Sequence, residues 1–370
     1  MAETHKVRYA VVGAGWIAQA AFMPGVEHTG NSVMTALVTG DEEKARALSS
    51  RYAIPHTYKY EQYDEMLASG NVDAVYLATP NSMHVDMAVK TLNAGIHLLL
   101  EKPMAVSVAE CERINAAAEA GKAKLMVAYR LHFEPSTLDV LERVRAGEIG
   151  EARMFTSTFV QHVSAGNHRA KMGFWAGPVA DMGPYPINMV RNVFNAEPIE
   201  VYATGTRAET MFNFHDSVAV TLKFEDGRIA QFTVSYAGEP VGEYIIAGTK
   251  GWIAANPAYT FHGAVETKLS VDGKKADGKD KETDQFGGET QYFSECILDG
   301  RMPEPNGVEG LRDVRVIAAV EESLRTGAVV KLQPMEPRRD AVELQKRAIQ
   351  TRTLKPVKAP ELVNAGAPED

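Results

Sequence analysis

Gly13-Ala14-Gly15-Trp16-Ile17-Ala18 follows a strand-like run that begins at Val7, and it opens a helix-like segment. This is the G-x-G-x-x-A form of a dinucleotide-binding turn. The first glycine permits the tight turn, and the second lets backbone approach a pyrophosphate. The alanine keeps helix and strand close, and the helix N-terminus faces the phosphates. The spacing alone is common in glycine turns; its position at a first strand-to-helix junction makes it informative. A second group lies past the next strand, where Val38 is followed by Thr39-Gly40-Asp41-Glu42-Glu43-Lys44. NAD sites place an acid here for the ribose 2′-hydroxyl. The Thr39 hydroxyl and Lys44 ammonium suit a 2′-phosphate instead, so the expected cofactor is NADP (NADP+/NADPH). Asp41 is the competing signal; set beyond a glycine, it faces solvent or caps the following helix.

These residues need a framework of alternating elements, and residues 7–128 supply one. Strand-like runs at 7–12, 32–38, 72–78, 97–100 and 125–128 alternate with helical patterns at 42–52, 84–93 and 111–120. The runs at 72–78 and 97–100 are almost continuously apolar, as strands covered on both faces must be. The expected class is α/β: a doubly wound parallel sheet of Rossmann type. The pattern then changes to strand-like segments at hairpin spacing, 152–163, 200–206, 217–225, 228–236, 243–248, 251–255 and 267–271. They imply an α/β domain on a largely antiparallel, open-faced sheet, closed by helices at 289–298 and 308–325. The lysine- and aspartate-rich stretch 272–284 reads as an exposed loop. Residues 340–349 read as a short charged helix before a Pro/Ala-rich tail. The expected domains are 1–128, 129–333 and a C-terminal extension, 334–370.

Composition narrows the function classes. The chain has 370 residues with 45% hydrophobic and 24% charged residues, which argues for a folded soluble protein of two domains. A net charge of −9 without a basic block argues against nucleic acid. The most apolar stretch, 10–26, is interrupted by glycines, Gln19 and Pro24, so no membrane span is expected. Only six residues precede the first strand, leaving no room for a secretory signal, so a cytoplasmic location is expected. The two cysteines, Cys111 and Cys296, belong to no metal-binding spacing and are expected as buried free thiols.

Glu101-Lys102-Pro103-Met104-Ala105 follows the strand at 97–100. With the glycine turn, Pro80-Asn81-Ser82-Met83-His84 and Tyr129-Arg130-Leu131-His132, it resembles the glucose–fructose oxidoreductase / inositol dehydrogenase family over residues 6–332. The likeness is strongest to the glucose–fructose oxidoreductase branch, through 101–105, 124–135, 181–191 and the Gly40…Glu43-Lys44 turn. The resemblance implies a Rossmann domain followed by an open-faced substrate domain that commonly pairs copies into dimers or dimers of dimers. Lys102 would touch both the nicotinamide ribose and the reacting hydroxyl, with Pro103 in a cis peptide. Glu101, Pro80, Asn81 and His84 would line the cofactor, and Arg130 and Trp175 would lie near its nicotinamide half. Many relatives carry Asp-x-x-x-His; this chain has Asp181-Met182-Gly183-Pro184-Tyr185, with tyrosine in the histidine place.

Oxidising an alcohol requires a hydride to leave carbon while a proton leaves oxygen. Tyr185 accepts that proton as its phenolate, which a nearby Lys102 ammonium would favour. Asp181, at the entrance to a helix begun by Pro184 and Pro186, would orient a sugar hydroxyl or else act as a helix cap. The leading expectation is NADP(H)-dependent oxidation of a cyclic aldose at C1 to a lactone, with bound NADP recycled by reducing a second sugar. The alternatives are a keto-sugar reductase with exchangeable cofactor and a non-catalytic sugar or nucleotide sensor. Retention of both Lys102 and Tyr185 argues against the sensor.

Overall fold

Parallel pairing governs the first half of the chain. A computed structural model describes residues 5–164, 166–279, 281–336, 354–355 and 360–365. Strands β1 (Val7–Val12), β2 (Ser32–Val38), β3 (His56–Tyr58), β4 (Ala74–Leu77), β5 (His97–Glu101) and β6 (Leu125–Ala128) form one sheet in the order β3-β2-β1-β4-β5-β6. Every pairing in it is parallel. This is the doubly wound order, with its reversal point between β1 and β4. The connecting helices are α1 (Met23–His28), α2 (Glu42–Arg51), α3 (Tyr63–Ala68), α4 (His84–Asn93) and α5 (Val108–Ala120). The segment before α1, Ala18–Phe22, is wound as π-helix, with the Met23 N–H bonded to the Ala18 carbonyl. Pro24 explains the wider turn: it has no N–H for an i−4 carbonyl, and its ring crowds the preceding turn.

The second half begins with α6 (Pro135–Arg145) and β7 (Ala152–His162), followed by α7 (Pro178–Met182) and α8 (Pro184–Phe194). β8 (Pro198–Thr206), β9 (Ser217–Phe224), β10 (Ile229–Ser235), β11 (Ala237–Gly248), β12 (Gly251–Ala255), β13 (Glu266–Val271) and β14 (Lys274–Lys279) come next. With β15 (Val330–Lys331) they make a sheet ordered β14-β13-β12-β11-β7-β10-β9-β8-β15. All its pairings are antiparallel except β7 with β10. Buried and accessible positions alternate along β9 and β10, as in a sheet with one packed face and one open face.

β14 corrects the expectation of a loop at 272–284. Asp272 and Gly273 both have positive φ, 47° and 78°, the conformation of a two-residue hairpin turn. Asp-Gly was the available signal; the exposed lysines beyond it hide the strand because they show no apolar alternation. The helix expected at 340–349 lies outside the described residues.

α9 (Gln285–Leu298) and α10 (Gly307–Thr326) complete the helices. The compact units interleave rather than follow one another. The first holds residues 5–133 and 284–311 with the described tail residues; the second holds 134–283 and 312–336. A contiguous division at 128 and 333 misses this return. α9 is held in the first unit because Tyr292, Phe293 and Cys296 enter its core beside Tyr9, Phe22 and Tyr76. The Ser294 hydroxyl meets Tyr9 Oη at 2.9 Å and Ser32 Oγ at 2.8 Å, so that interior carries no unpaired hydroxyl there. In the second unit, α8 is tied to α10 through buried charge. Arg191 bonds both Glu197 oxygens at 2.7 and 2.9 Å and also Asp313, while Arg312 reaches Glu197 at 2.8 Å. Both cysteines are buried and free. Among the described residues no helix is long and apolar enough to cross a membrane.

Candidate functional site

At the carboxyl edge of the parallel sheet the glycine turn has the shape its spacing predicts. Gly13 adopts φ +90°, and a Cβ there would lie 2.5 Å from the Ala78 carbonyl oxygen. Gly15 has nothing within 4 Å of a built Cβ, so its backbone faces open space. Trp16 and Ile17 are half-buried beside it. Thr79, just past β4, is 7% exposed, and its hydroxyl has no hydrogen-bond partner among the described residues. An open backbone turn at a helix N-terminus, with an unsatisfied hydroxyl near the sheet's reversal point, fits a bound dinucleotide. Pro80 is exposed and Asn81 half-buried in the turn that follows.

The end of β2 resolves the competition at Asp41. Asp41 caps α2: its Oδ1 accepts the Glu43 N–H at 2.9 Å and the Lys44 N–H at 3.0 Å. The Lys44 N–H is the chief cause of a carboxyl held below its usual range. Thr39 is buried; its Oγ1 accepts the Asp41 N–H at 3.2 Å and keeps its own hydrogen to donate. Lys44 is half-buried in the first turn of the helix.

Lys102 stands just beyond β5 and precedes Pro103 in a cis peptide, as the resemblance implied. Glu101 is anchored by Tyr76, whose hydroxyl donates to its Oε1 at 2.7 Å. Burial pushes the Glu101 carboxyl up, opposed by the Lys102 charge and the Tyr76 bond. His84 requires a correction. It is 0% exposed, so no surface of it is offered to a cofactor. Nδ1 lies 3.1 Å from the Pro103 carbonyl and Nε2 3.0 Å from the Thr79 carbonyl, while burial lowers the imidazole pKa. His84 thus lies between the Thr79 and Pro103 carbonyls, at the end of β4 and beside the Lys102-Pro103 peptide.

Arg130 is also nearly enclosed, 7% exposed, and donates to Gln285 Oε1 of α9 at 2.5 Å. One turn along α9, Glu289 is 0% exposed, and neither carboxyl oxygen is bonded among the described residues. Burial first, and then the neighbouring Glu101 charge, push its pKa well up against the opposing pull of Arg130. Sequence reading missed Gln285 and Glu289 because nothing local marks a helix that returns to an earlier unit.

In the second unit, Asp181 and Tyr185 are brought together. Gly183, between α7 and α8, keeps right-handed helical angles (φ −56°, ψ −35°), and its N–H reaches the Val179 carbonyl at 3.0 Å. The helical path thus continues from one to the other, and residues four apart share a face. The break between α7 and α8 reflects Pro184 and Pro186, which donate no main-chain bonds. Asp181 is not an N-cap, since Gly183 holds that place for α8. Instead Asp181 Oδ2 accepts from Arg169 Nη1 at 3.2 Å and from the Tyr236 hydroxyl at 3.0 Å. The Arg169 pKa is raised overall: burial opposes the shift, while Asp181, Tyr236 and Tyr185 favour the cation. Burial, then Asp181, hold the Tyr236 phenol well above its usual range. Tyr185 is half-buried, edge-on to Phe159 at 5.5 Å and tilted to Tyr259 at 5.8 Å. Trp175 donates its indole N–H to Glu321 at 3.1 Å. Arg169 and Tyr236 were not singled out in the sequence. Arg169 lies in the short 3-10 turn His168–Lys171, which no local pattern marks as part of a site.

Comparison with known proteins fits this geometry. Residues 7–129 match the oxidoreductase family with an NAD-binding Rossmann fold, and residues 137–254 match the GFO/IDH/MocA C-terminal domain. The chain belongs to this family of oxidoreductases. It is 30% identical over 342 residues to D-xylose 1-dehydrogenase [NADP(+)] of Haloarcula marismortui, covering 90% of this chain and 94% of that one. It is 28% identical to D-xylose 1-dehydrogenase (NADP(+)) 2 of Haloferax volcanii, covering 88% and 99%. The crystal structure of aldose-aldose oxidoreductase from Caulobacter crescentus, complexed with glycerol, superposes with a TM-score of 0.83 at 32% identity. That likeness covers 89% of this chain and all of the other.

Proposed function

We propose that this protein is an NADP-dependent sugar oxidoreductase that oxidises a cyclic aldose at C1 to its lactone. The observation that carries the reading is the placement of Tyr185 one helical turn from Asp181, whose carboxylate is fixed by Arg169 and Tyr236. Bound NADP supplies the hydride acceptor. Gly13, Gly15, Trp16 and Ile17 cradle its pyrophosphate, Thr39 and Lys44 hold the 2′-phosphate, and Pro80, Asn81, Glu101 and Arg130 bound the remaining length. Asp181 receives a ring hydroxyl and fixes the sugar's orientation. Tyr185 takes the proton from the C1 hydroxyl. The reading keeps Lys102, Asp181 and Tyr185 as its catalytic residues and Trp175 among the nicotinamide-side residues. NADP-linked xylose dehydrogenases among the relatives support both the cofactor and the sugar class.

The likeness to an aldose-aldose oxidoreductase favours the finer reading, in which the cofactor stays bound and a second aldose is reduced to its alditol. The dialysed enzyme, given one labelled and one unlabelled aldose, then yields lactone and alditol without added nucleotide. Products that form only with free NADP identify an ordinary dehydrogenase. No turnover of any aldose with NADP overturns the whole reading. The open sheet face, where Met154, Tyr202, Ile229 and Ile245 are each more than 40% exposed, is assigned to pairing with a second copy.

A further inference from the structure

Residues 360–365 lie against the first unit and outside both family-matched ranges. Gln19, one residue past the glycine turn and 0% exposed, grips Val363 with both ends of its amide. Nε2 donates to the Val363 carbonyl at 2.8 Å, and Oε1 accepts the Val363 N–H at 2.8 Å. Val363 also packs on the hydrophobic core. Arg51, the last residue of α2, donates to the Glu361 carbonyl at 2.6 Å. Asn364 has φ +44°, a conformation asparagine tolerates, and turns its Nδ2 onto Asp41 Oδ2 at 3.2 Å and Glu43 Oε2 at 3.0 Å. The segment thus runs from the last residue of α2 to its capping turn, the turn that reads the ribose 2′ position.

Asp41 Oδ1 is committed to the helix cap, so Oδ2 is the oxygen through which Asp41 would accept an NAD ribose hydroxyl. Asp41 and Glu43 also present two negative charges to a 2′-phosphate. We infer that Asn364 is a specificity-determining residue: its amide occupies Asp41 and Glu43, removing the acceptor that NAD needs and offsetting charge that opposes NADP. The main-chain grip of Gln19 on Val363 delivers it there. The inference rests on the NADP reading above.

The test measures Kd for NADP and for NAD by intrinsic fluorescence titration. The proteins are the wild type, Asn364→Ala, the pair Asp41→Asn/Glu43→Gln, and the triple variant. Asn364 is exposed, so its replacement leaves the fold intact. The expected result is a NADP-over-NAD preference reduced about three- to tenfold by Asn364→Ala, the scale of one or two such hydrogen bonds. In the background lacking both carboxylates, the same change should leave the ratio unmoved. A wild type that prefers NAD overturns the cofactor reading and the inference with it. A wild type that prefers NADP, with a ratio indifferent to Asn364→Ala or with equal losses for both nucleotides, overturns the inference alone.

Discussion

At the scale of single residues, Tyr185 and Glu289 make opposite demands on a proton. Tyr185 is half-buried and shares a helical face with Asp181, in the field of the Arg169 cation. If it accepts the substrate proton, Tyr185→Phe lowers turnover about 10²- to 10⁴-fold and leaves the Kd for NADP unchanged. Near-normal turnover in that variant removes it from the proton path. Glu289 is enclosed, with no partner for either oxygen among the described residues, and burial raises its pKa. It keeps its proton in the fold at pH values where the unfolded chain has released it. The folded state then binds more protons, so stability falls as pH rises above about 4.3, the unfolded value, until the folded pKa is reached. Glu289→Gln should therefore raise the melting temperature increasingly as pH rises from about 4.3 toward the folded pKa, and should match the wild type below about pH 4. A gain that is the same at every pH would show that the carboxyl titrates alike in the folded and unfolded chain.

At the scale of elements, the parallel strands were legible because strands covered on both faces read as unbroken apolar runs, as Leu98-Leu99-Leu100 does. The glycine turn was legible because its residues are set by backbone geometry. Gly13→Ala would place a Cβ 2.5 Å from a carbonyl oxygen at φ +90°. That change should cost about 1–3 kcal/mol in stability and weaken nucleotide binding at least tenfold, read by thermal melts and fluorescence titration. Unchanged nucleotide affinity would show that the turn is not the pyrophosphate site. What stayed hidden has a common cause. Asp181 finds Arg169 12 residues away and Tyr236 55 residues away, on a 3-10 turn and at a strand end. Gln285 reaches Arg130 across 155 residues. Local periodicity carries no record of such pairings. His84 was visible as a histidine after a strand, but whether it faces a cofactor or two carbonyls depends on packing that only the fold supplies.

At the scale of the whole molecule, the open sheet face should govern assembly. Met154 and Ile229 are register partners on neighbouring strands, with Ile245 on the strand flanking β7. Ile245→Lys changes an exposed position, so stability should move by less than about 0.5 kcal/mol. Size-exclusion chromatography with light scattering should show a shift toward monomer; an unchanged mass would place the contact elsewhere. The central claim concerns the bond that is broken, and an isotope reports on it directly. An aldose bearing deuterium at C1, incubated with enzyme and NADP, is followed by mass spectrometry of the nucleotide and the sugar product. The account predicts a lactone that has lost its deuterium, with that deuterium found in the reduced nucleotide or, after recycling, in the alditol. An oxidised sugar that retains deuterium at C1, with none transferred to nucleotide or alditol, would contradict it.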